Sequence, residues 1–182
     1  MVLRTINITN SATTYSLHNL VTFKKEKEMI EWYKDKNIVI EFSEKPQVCM
    51  RYIIPSMTKQ EKLNISKYPF FNRKDLIVKL SDIRKKKDYM FCIPKGYCWD
   101  GATIPRLFWR LIGAKTDSSF LIPSMIHDAL CEHHEYVDND RYFADKIFER
   151  LLYTSGVHGF NRWLMFHCVD NFQKLCNWKG QP

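Results

Sequence analysis

The stretch WDGATIPRLFW, residues 99–109, decides how this chain is organised, because no regular secondary structure favours its mixture of residues. Asp100-Gly101 is typical of a turn, since glycine accepts positive φ and the short carboxylate can bond nearby backbone. Ile104 precedes Pro105, which pushes it out of the helical region and into an extended conformation. The stretch therefore predicts a shaped loop that joins two halves of different secondary structure.

The residues before this loop favour β-structure. Runs of branched and aromatic side chains predict strands at residues 37–42, 47–54, 75–82 and 88–97. The basic turn IRKKK joins the last two strands as a pair. Residues 25–36 instead predict a surface helix with a thin apolar stripe, and residues 56–74 predict a connection with at most one helical turn.

The residues after the loop favour helices, because their apolar side chains recur at helical spacing. Three helices are predicted, the first from residue 119, the second from Asp138, and the third from about His158 to Asn177. Pro123 suits the first turn of the first helix, and Asp138 suits the N-cap of the second. Gly156 is expected to end the second helix.

The predicted fold class is α+β, a small antiparallel sheet in the N-terminal half followed by a three-helix C-terminal half. The loop forms the junction between them. Residues 1–74 are predicted to be an N-terminal extension with a helix and β-strands, packed on the same domain as a core at residues 75–182.

Composition limits the class of protein. The chain has 182 residues, of which 45% are hydrophobic, so it can build a core. It lacks an apolar run of the roughly 20 residues needed to span a bilayer, and its first residues lack the layout of a signal peptide. The six cysteines do not have the spacing of a secreted disulfide scaffold. We therefore expect a cytoplasmic protein with mostly reduced thiols.

The net charge of +8 and the pI near 9.2 raise the alternative of a nucleic-acid partner. The lysines, however, lie in short runs at residues 24–28 and 84–88, and both runs end in an acid. Solvated surface charge is therefore favoured over nucleic-acid binding. The alternative requires the Lys24 to Lys27 segment and Lys85, Lys86 and Lys87 to converge on one face.

Candidate chemistry is concentrated in IHDALCEHHEY, residues 126–136. His127 and Asp128 are neighbours on a helix, about 100° apart around its axis, so both can face one cleft as a base and a metal ligand. The alternative is solvated surface, since they lie roughly opposite the apolar stripe. Asp145 on the next helix can orient the His127 ring if the two helices pack antiparallel. Its alternative is an exposed acid paired with Arg141.

Other cysteine and aromatic residues have weaker signals. His127 and Cys131 are spaced i and i+4, as two zinc ligands can be, but no second ligand pair has a typical spacing. Cys98 could be a nucleophile with His127 as its base, although a packed thiol is favoured. Core or loop-anchoring roles are expected for Trp99, Phe108, Trp109, Trp163 and Trp178.

Three motifs in order, CWDGATIPRLFW, IHDALC and RYFADKIFERLLYTSGV, resemble the phage and bacterial family called domain of unknown function 1353. Thr103 stands where that family usually has serine, and Cys131 stands where an aromatic residue is common. The resemblance covers about residues 75–178. It implies that Asp100, His127, Asp128 and Asp145 belong to one site, and it implies a phage or prophage source.

The layout is also similar to that of phospholipase A2 enzymes, which have His-Asp on one helix and a further aspartate on an antiparallel helix. That similarity implies that His127 activates water, Asp128 binds calcium and Asp145 orients the histidine. The glycine-rich calcium loop and the disulfides of those enzymes are missing from this chain, which counts against a lipid substrate.

Two hypotheses follow for the four residues. In the first, the protein is a metal-assisted hydrolase with His127 as base, Asp145 orienting it, and Asp100 and Asp128 holding a divalent cation, Ca²⁺ or Mg²⁺ rather than Zn²⁺. The loop residues that support this site are Trp99, Gly101, Thr103, Pro105 and Arg106. In the second, the protein is a non-catalytic phage accessory protein, a virion component or a binder of a host protein, and the same residues form a buried polar network.

Overall fold

A computed structural model describes residues 4–5, 28–101 and 118–176. The strands are β1 (Arg4–Thr5), β2 (Ile30–Lys34), β3 (Ile38–Phe42), β4 (Val48–Met50), β5 (Phe70–Asn72), β6 (Leu76–Asp82), β7 (Lys87–Ile93) and β8 (Cys98–Trp99). The α-helices are α1 (Lys59–Lys67), α2 (Ser118–Glu132), α3 (Arg141–Thr154) and α4 (Gly159–Cys176), with a 3-10 helix at His134–Val137. The fold class is α+β, as predicted.

The chain forms two compact units. Of the described residues, those within 1–47 and 72–97 form the sheet unit, and those within 48–71 and 98–182 form the helical unit. Strands from both sides of residue 74 share one sheet, because β3 pairs with β6. The predicted division of the chain at residue 74 stays a prediction.

The sheet unit contains a five-stranded sheet in the order β1-β7-β6-β3-β2. Its β2, β3, β6 and β7 strands are antiparallel, and β1 runs parallel to β7. Side chains on β6 alternate strictly between buried and partly buried, because successive residues of a strand face opposite sides. The predicted pairing of the strands at 75–82 and 88–97 is confirmed, with Lys86 in the left-handed region of the connecting turn (φ 53°).

The predicted helix at residues 25–36 is wrong where it can be compared, since residues 30–34 form β2. Ile30 lies opposite Phe42 and Tyr33 lies opposite Ile40, with a bulge between them. The Trp32 ring also packs on Phe42 with ring centroids 5.2 Å apart. These cross-strand contacts outweigh a weak helical stripe. Residues 25–27 lie outside the described ranges.

The helical unit has a second sheet, in the order β4-β5-β8, that the sequence did not predict as separate. The predicted strand at 47–54 is shorter than expected, because only residues 48–50 pair. The predicted connection at 56–74 contains α1 and β5. Thr58 and Glu61 start α1 with a capping box, in which each side chain bonds the other residue's backbone N–H.

The described residues of the C-terminal half, 98–101 and 118–176, contain three α-helices and a 3-10 helix, which makes four helical elements where three were predicted. Pro123 lies inside α2 rather than in its first turn, which corrects the prediction. Asp138 ends the 3-10 helix in the left-handed region, so the predicted N-cap role belongs to Asp140, whose carboxylate accepts from the Phe143 N–H at 3.0 Å. Gly156 follows the end of α3 with φ 81°, as expected of a helix-stopping glycine.

Candidate functional site

Helix α2 carries His127 in a buried position. Only 6% of His127 is exposed, and Ile126 and Leu130 on the same helix are fully buried. The expected solvated face for His127 is therefore wrong. The helix buries most of its circumference, which a single apolar stripe in the sequence does not reveal.

His127 meets Asp145 of α3 inside the helical unit. The distance from His127 Nε2 to Asp145 Oδ1 is 3.0 Å, and Asp145 is completely buried. The Phe148 ring packs beside the imidazole with ring centroids 4.9 Å apart. The predicted contact between the two residues is confirmed, and the alternative of an exposed Asp145 is wrong. Their catalytic roles stay predictions.

Arg141 extends this contact into a chain of alternating charges. Its Nη1 atom donates to Asp145 Oδ2 at 2.7 Å and to Asp170 Oδ1 of α4 at 2.6 Å. Lys174 Nζ donates to the other oxygen of Asp170. Burial alone would raise the pKa of Asp170, but the hydrogen bonds from Lys174 and Arg141 outweigh it and hold that pKa below its usual range.

The sequence analysis missed Asp170 and Lys174 as part of this network. Asp170 is the sole acid between Glu149 and the end of the chain, and Lys174 follows it at i+4. An isolated acid on an apolar helix, with a cation one turn later, was the available signal.

The network fixes which nitrogen of His127 carries the proton in the neutral ring. Both oxygens of Asp145 act as acceptors, one from Arg141 and one from the histidine. Nε2 is therefore assigned as the donor, and Nδ1 is left as the acceptor nitrogen. Asp128 Oδ1 lies 4.0 Å from Nδ1, beyond hydrogen-bond distance but close enough for one small group to contact both.

Cys131 touches the same ring in a different way. Its sulfur lies 3.6 Å from Nδ1 and 3.7 Å from Nε2. A sulfur in the ring plane at two such similar distances would overlap the ring carbons, so it lies over the ring face. The nitrogen lone pair points along the ring plane, so this contact is packing rather than a cysteine–histidine dyad. This geometry does not support the zinc hypothesis, because the Cys131 sulfur and the nitrogen lone pair of His127 do not converge on one position.

The environment of Asp128 disfavours the negative charge of its carboxylate. Burial raises its pKa well above the usual range, and the negative charges of Asp100 and Glu132 raise it further. About a quarter of the side chain, 24%, is still exposed. The carboxyl group is therefore partly desolvated, near two other acids and accessible from solvent.

Trp99 positions the start of the loop that carries Asp100. Its side chain is 1% exposed, and its indole Nε1 donates to Ser124 Oγ of α2 at 3.1 Å. The Phe70 ring packs beside it. The loop-anchoring role of Trp99 stays a prediction, and Gly101 adopts φ 92°, as expected for the turn. The predicted supports Thr103, Pro105 and Arg106, with Phe108 and Trp109, lie outside the described residues.

The remaining candidates are placed elsewhere. Cys98 lies against Arg51, with 3.8 Å between the sulfur and Nη1, and burial raises the pKa of the thiol. Trp163 is 55% exposed, so the expected core role is wrong for this residue. In residues 28–101 and 118–176, no group of three or more His, Cys, Asp or Glu side chains is placed to hold a metal ion. No helix in the described ranges has the length and apolar content to cross a bilayer.

Comparison with known proteins places this site within a family. The family described as "Protein of unknown function (DUF1353)" matches residues 77–169, which include His127, Asp128 and Asp145. The chain is 30% identical over 93 residues to the uncharacterized protein y4jT of Sinorhizobium fredii (strain NBRC 101917 / NGR234). That alignment covers 47% of this chain and 27% of y4jT, so the chain spans about a quarter of that relative's length. No solved structure matches.

Proposed function

The chain belongs to the DUF1353 family, and we propose that it is a metal-assisted hydrolase that uses His127 as its general base. The observation that carries this proposal is the buried hydrogen bond between His127 Nε2 and Asp145 Oδ1. A histidine held in one tautomer by a carboxylate is the arrangement of hydrolytic acid–base catalysis. It leaves Nδ1 as an acceptor beside Asp128, which solvent can reach.

The chain of charges behind His127 suits proton transfer. When Nδ1 takes a proton from water, the ring becomes a cation, and Asp145 stabilises that charge through Nε2–H. Arg141 holds the second oxygen of Asp145, so the carboxylate keeps its orientation. The resulting hydroxide would attack the substrate, and the imidazolium would return its proton to the leaving group.

Asp128 and Asp100 are the residues proposed to hold a divalent cation. Two acids that repel each other in a partly desolvated place are stabilised by a cation between them, and the raised pKa of Asp128 reflects that repulsion together with burial. Carboxylate oxygens favour Ca²⁺ or Mg²⁺ over Zn²⁺, with water or backbone oxygen completing the coordination. A bound cation would polarise the substrate and lower the pKa of its water. The similarity to the phospholipase A2 layout supports the same division of roles.

The test is the metal dependence of thermal stability. Wild type and Asp128→Asn would be melted with Ca²⁺, Mg²⁺ or Mn²⁺ and with a chelator, and Asp88→Asn, an exposed acid of the sheet unit, is the matched control. We expect one metal to stabilise wild type and the control but not Asp128→Asn. At 100 times its dissociation constant, a ligand of the folded state adds about 2.7 kcal/mol. A wild type that no metal stabilises would count against the metal site.

A second candidate function is favoured by the burial of the same residues. His127 and Asp145 are hydrogen-bonded to each other and closed off, as expected of a structural network in a non-catalytic accessory protein. Its partner would be a virion or host protein, and the phage source and the host cytoplasm remain the sequence-based expectations. Under this candidate, metals leave the melting temperature unchanged, whereas Asp145 and Asp128 substitutions lower it.

A further inference from the structure

The corner between α3 and α4 combines exposed aromatic residues with a local absence of acids. Residues 150–169 contain no Asp or Glu. Tyr153, Phe160 and Trp163 are each more than half exposed, at 59%, 57% and 55%. Seven of the eleven residues from 153 to 163 are exposed, so this corner lies at the surface of the described part of the helical unit.

The exposed rings form a continuous surface rather than isolated groups. Phe160 stacks on Trp163 with ring centroids 6.2 Å apart, and Trp163 meets the edge of His167 at 4.6 Å. These three residues follow one another along the same side of α4, since they are three and four positions apart. Contiguous exposed apolar surface of this kind marks an interaction site.

Cations accompany the rings. Arg162 lies over the exposed Tyr153 ring at 5.0 Å, and Lys146 lies beside the corner, over the buried Phe166 ring at 4.2 Å. Glu149 borders the corner, and its carboxylate pairs with Lys146 and Arg150. Arg162 covers a face of Tyr153, which leaves less room for a nucleic-acid base to stack on that ring. The surface therefore offers aromatic side chains and positive charge together.

We propose that this corner docks on an anionic lipid surface. Aromatic side chains bury their rings at the boundary between headgroups and acyl chains, while Arg and Lys extend their charges to the headgroups. An exposed corner needs no groove to make such a contact, and residues 150–169 contribute no acid that would repel anionic lipid. The proposal goes beyond the proposed hydrolase and does not depend on it, because docking requires neither His127 nor Asp128.

The experiment is co-sedimentation of the full chain with vesicles. Vesicles of phosphatidylglycerol and phosphatidylcholine are compared with vesicles of phosphatidylcholine alone. The variants are Phe160→Ala/Trp163→Ala and Arg162→Gln. Tyr52→Ala/Ile53→Ala, two exposed apolar residues elsewhere in the helical unit, is the matched control. Circular dichroism checks that each variant is folded.

We expect wild type to bind the anionic vesicles and not the zwitterionic ones, more weakly at high salt. The double aromatic variant should bind at least about tenfold more weakly, since two rings lose their burial. Arg162→Gln should weaken binding less, and the control should bind like wild type. A blue shift of tryptophan emission on vesicles should disappear in Trp163→Phe.

Three results would overturn the proposal. One is a wild type that binds no anionic vesicle, and another is an aromatic variant that binds as well as the control. The third is displacement of the protein from vesicles by a short single-stranded DNA with loss of DNA binding in the aromatic variant, which would assign the corner to nucleic acid. Asp128→Asn should bind vesicles like wild type, so failure of the hydrolase proposal and failure of this one are separable.

Discussion

The sheet unit and the helical unit differ in the partners that their buried polar side chains bond. In the sheet unit, buried polar side chains bond backbone. Asn72 Nδ2 donates to the Ile93 carbonyl, Ser43 Oγ accepts from the Ile77 N–H, and Asp82 accepts from the Lys85 N–H. These contacts hold strand ends and turns together, so folding alone explains them.

In the helical unit, buried polar side chains bond one another. His127, Asp145 and Asp170 are all less than 9% exposed, and Arg141 joins the two acids. Removing charges from water is costly, and apolar residues of similar volume often stabilise a protein as well or better. The helical unit is therefore the part of the molecule in which a functional site is expected, because stability alone does not require a buried network of charges.

The largest effect is expected from breaking the helical network. Asp145→Ala leaves His127 without its buried acceptor and leaves Arg141 with Asp170 alone, so it should destabilise the protein by roughly 3–5 kcal/mol. Replacing Glu41, which pairs with Lys79 on the surface of the sheet unit, by Ala should cost about 1 kcal/mol or less. Denaturant unfolding measures both.

A triple variant with apolar residues in place of the charges separates the contribution of the charge network to stability from that of side-chain packing. If Asp145→Leu with Arg141→Met and His127→Leu regains most of the stability, the charges were retained for a reason other than folding. If Asp145→Ala costs no more than Glu41→Ala, the buried network does not exist in solution and the contrast between the units fails.

The stability of the sheet unit should depend on buried side-chain volume rather than on buried charge. Leu80 is fully buried on β6, so Leu80→Ala should cost about 3 kcal/mol, by the loss of burial and the cavity left behind. Leu80→Met, which keeps the volume, should cost less than about 1.5 kcal/mol. Equal losses for the two variants would show that the position is limited by shape or backbone rather than by packed volume.

Part of this fold could be predicted because its signals are local. The pairing of β6 with β7 follows from alternating side chains and a basic turn, and the end of α3 follows from Gly156. The contact between His127 and Asp145 could also be predicted, because the two residues lie on helices that are successive in the chain and that were expected to pack antiparallel.

The rest depended on contacts between distant residues. β2 is a strand because Phe42 and Ile40 lie opposite it, and its own sequence favours a helix. The burial of His127 depends on what surrounds α2, and the inclusion of Asp170 depends on how α4 places it beside Arg141. None of these contacts leaves a periodic pattern in the sequence.

Substitution of Asp128 is expected to change the free energy of unfolding by less than the substitutions above, and to raise it rather than lower it. Burial and the nearby acids raise the folded pKa of Asp128 well above the ordinary aspartate value of the unfolded chain, so between the two pKa values the folded protein holds a proton that the unfolded chain has lost. The free energy of unfolding therefore falls as pH rises through that window, and above it the penalty is complete. Asp128→Asn removes the penalty, so in the absence of metal it should be more stable than wild type at neutral pH.

The measurement is denaturant unfolding from pH 4 to pH 8 with a chelator present. The advantage of Asp128→Asn should grow with pH and vanish toward pH 4. Asp88→Asn, on the exposed surface of the sheet unit, provides the control without burial. An Asp128→Asn protein that is less stable than wild type at neutral pH would instead make the Asp128 carboxylate a structural acceptor.

The smallest expected effects on stability test whether the charges of the helical unit act as one network or as separate ion pairs. Lys79 pairs with Glu41 at 2.8 Å across strands, and this hydrogen bond is the main cause that raises the pKa of Lys79. Lys174 pairs with Asp170 one helical turn away. Lys79→Gln and Lys174→Gln should each cost only about 0.2–1 kcal/mol, because both lysine side chains reach solvent.

Their coupling to Asp145 should nevertheless differ. Lys174 reaches Asp145 through Asp170 and Arg141, so Lys174→Gln combined with Asp145→Asn should deviate from additivity by about 0.5 kcal/mol or more. Lys79→Gln combined with Asp145→Asn should be additive to within about 0.3–0.5 kcal/mol, because the pairs share no partner. Additivity in both double-mutant cycles would mean that the helical charges act as separate pairs. His127 would then be oriented by Asp145 alone.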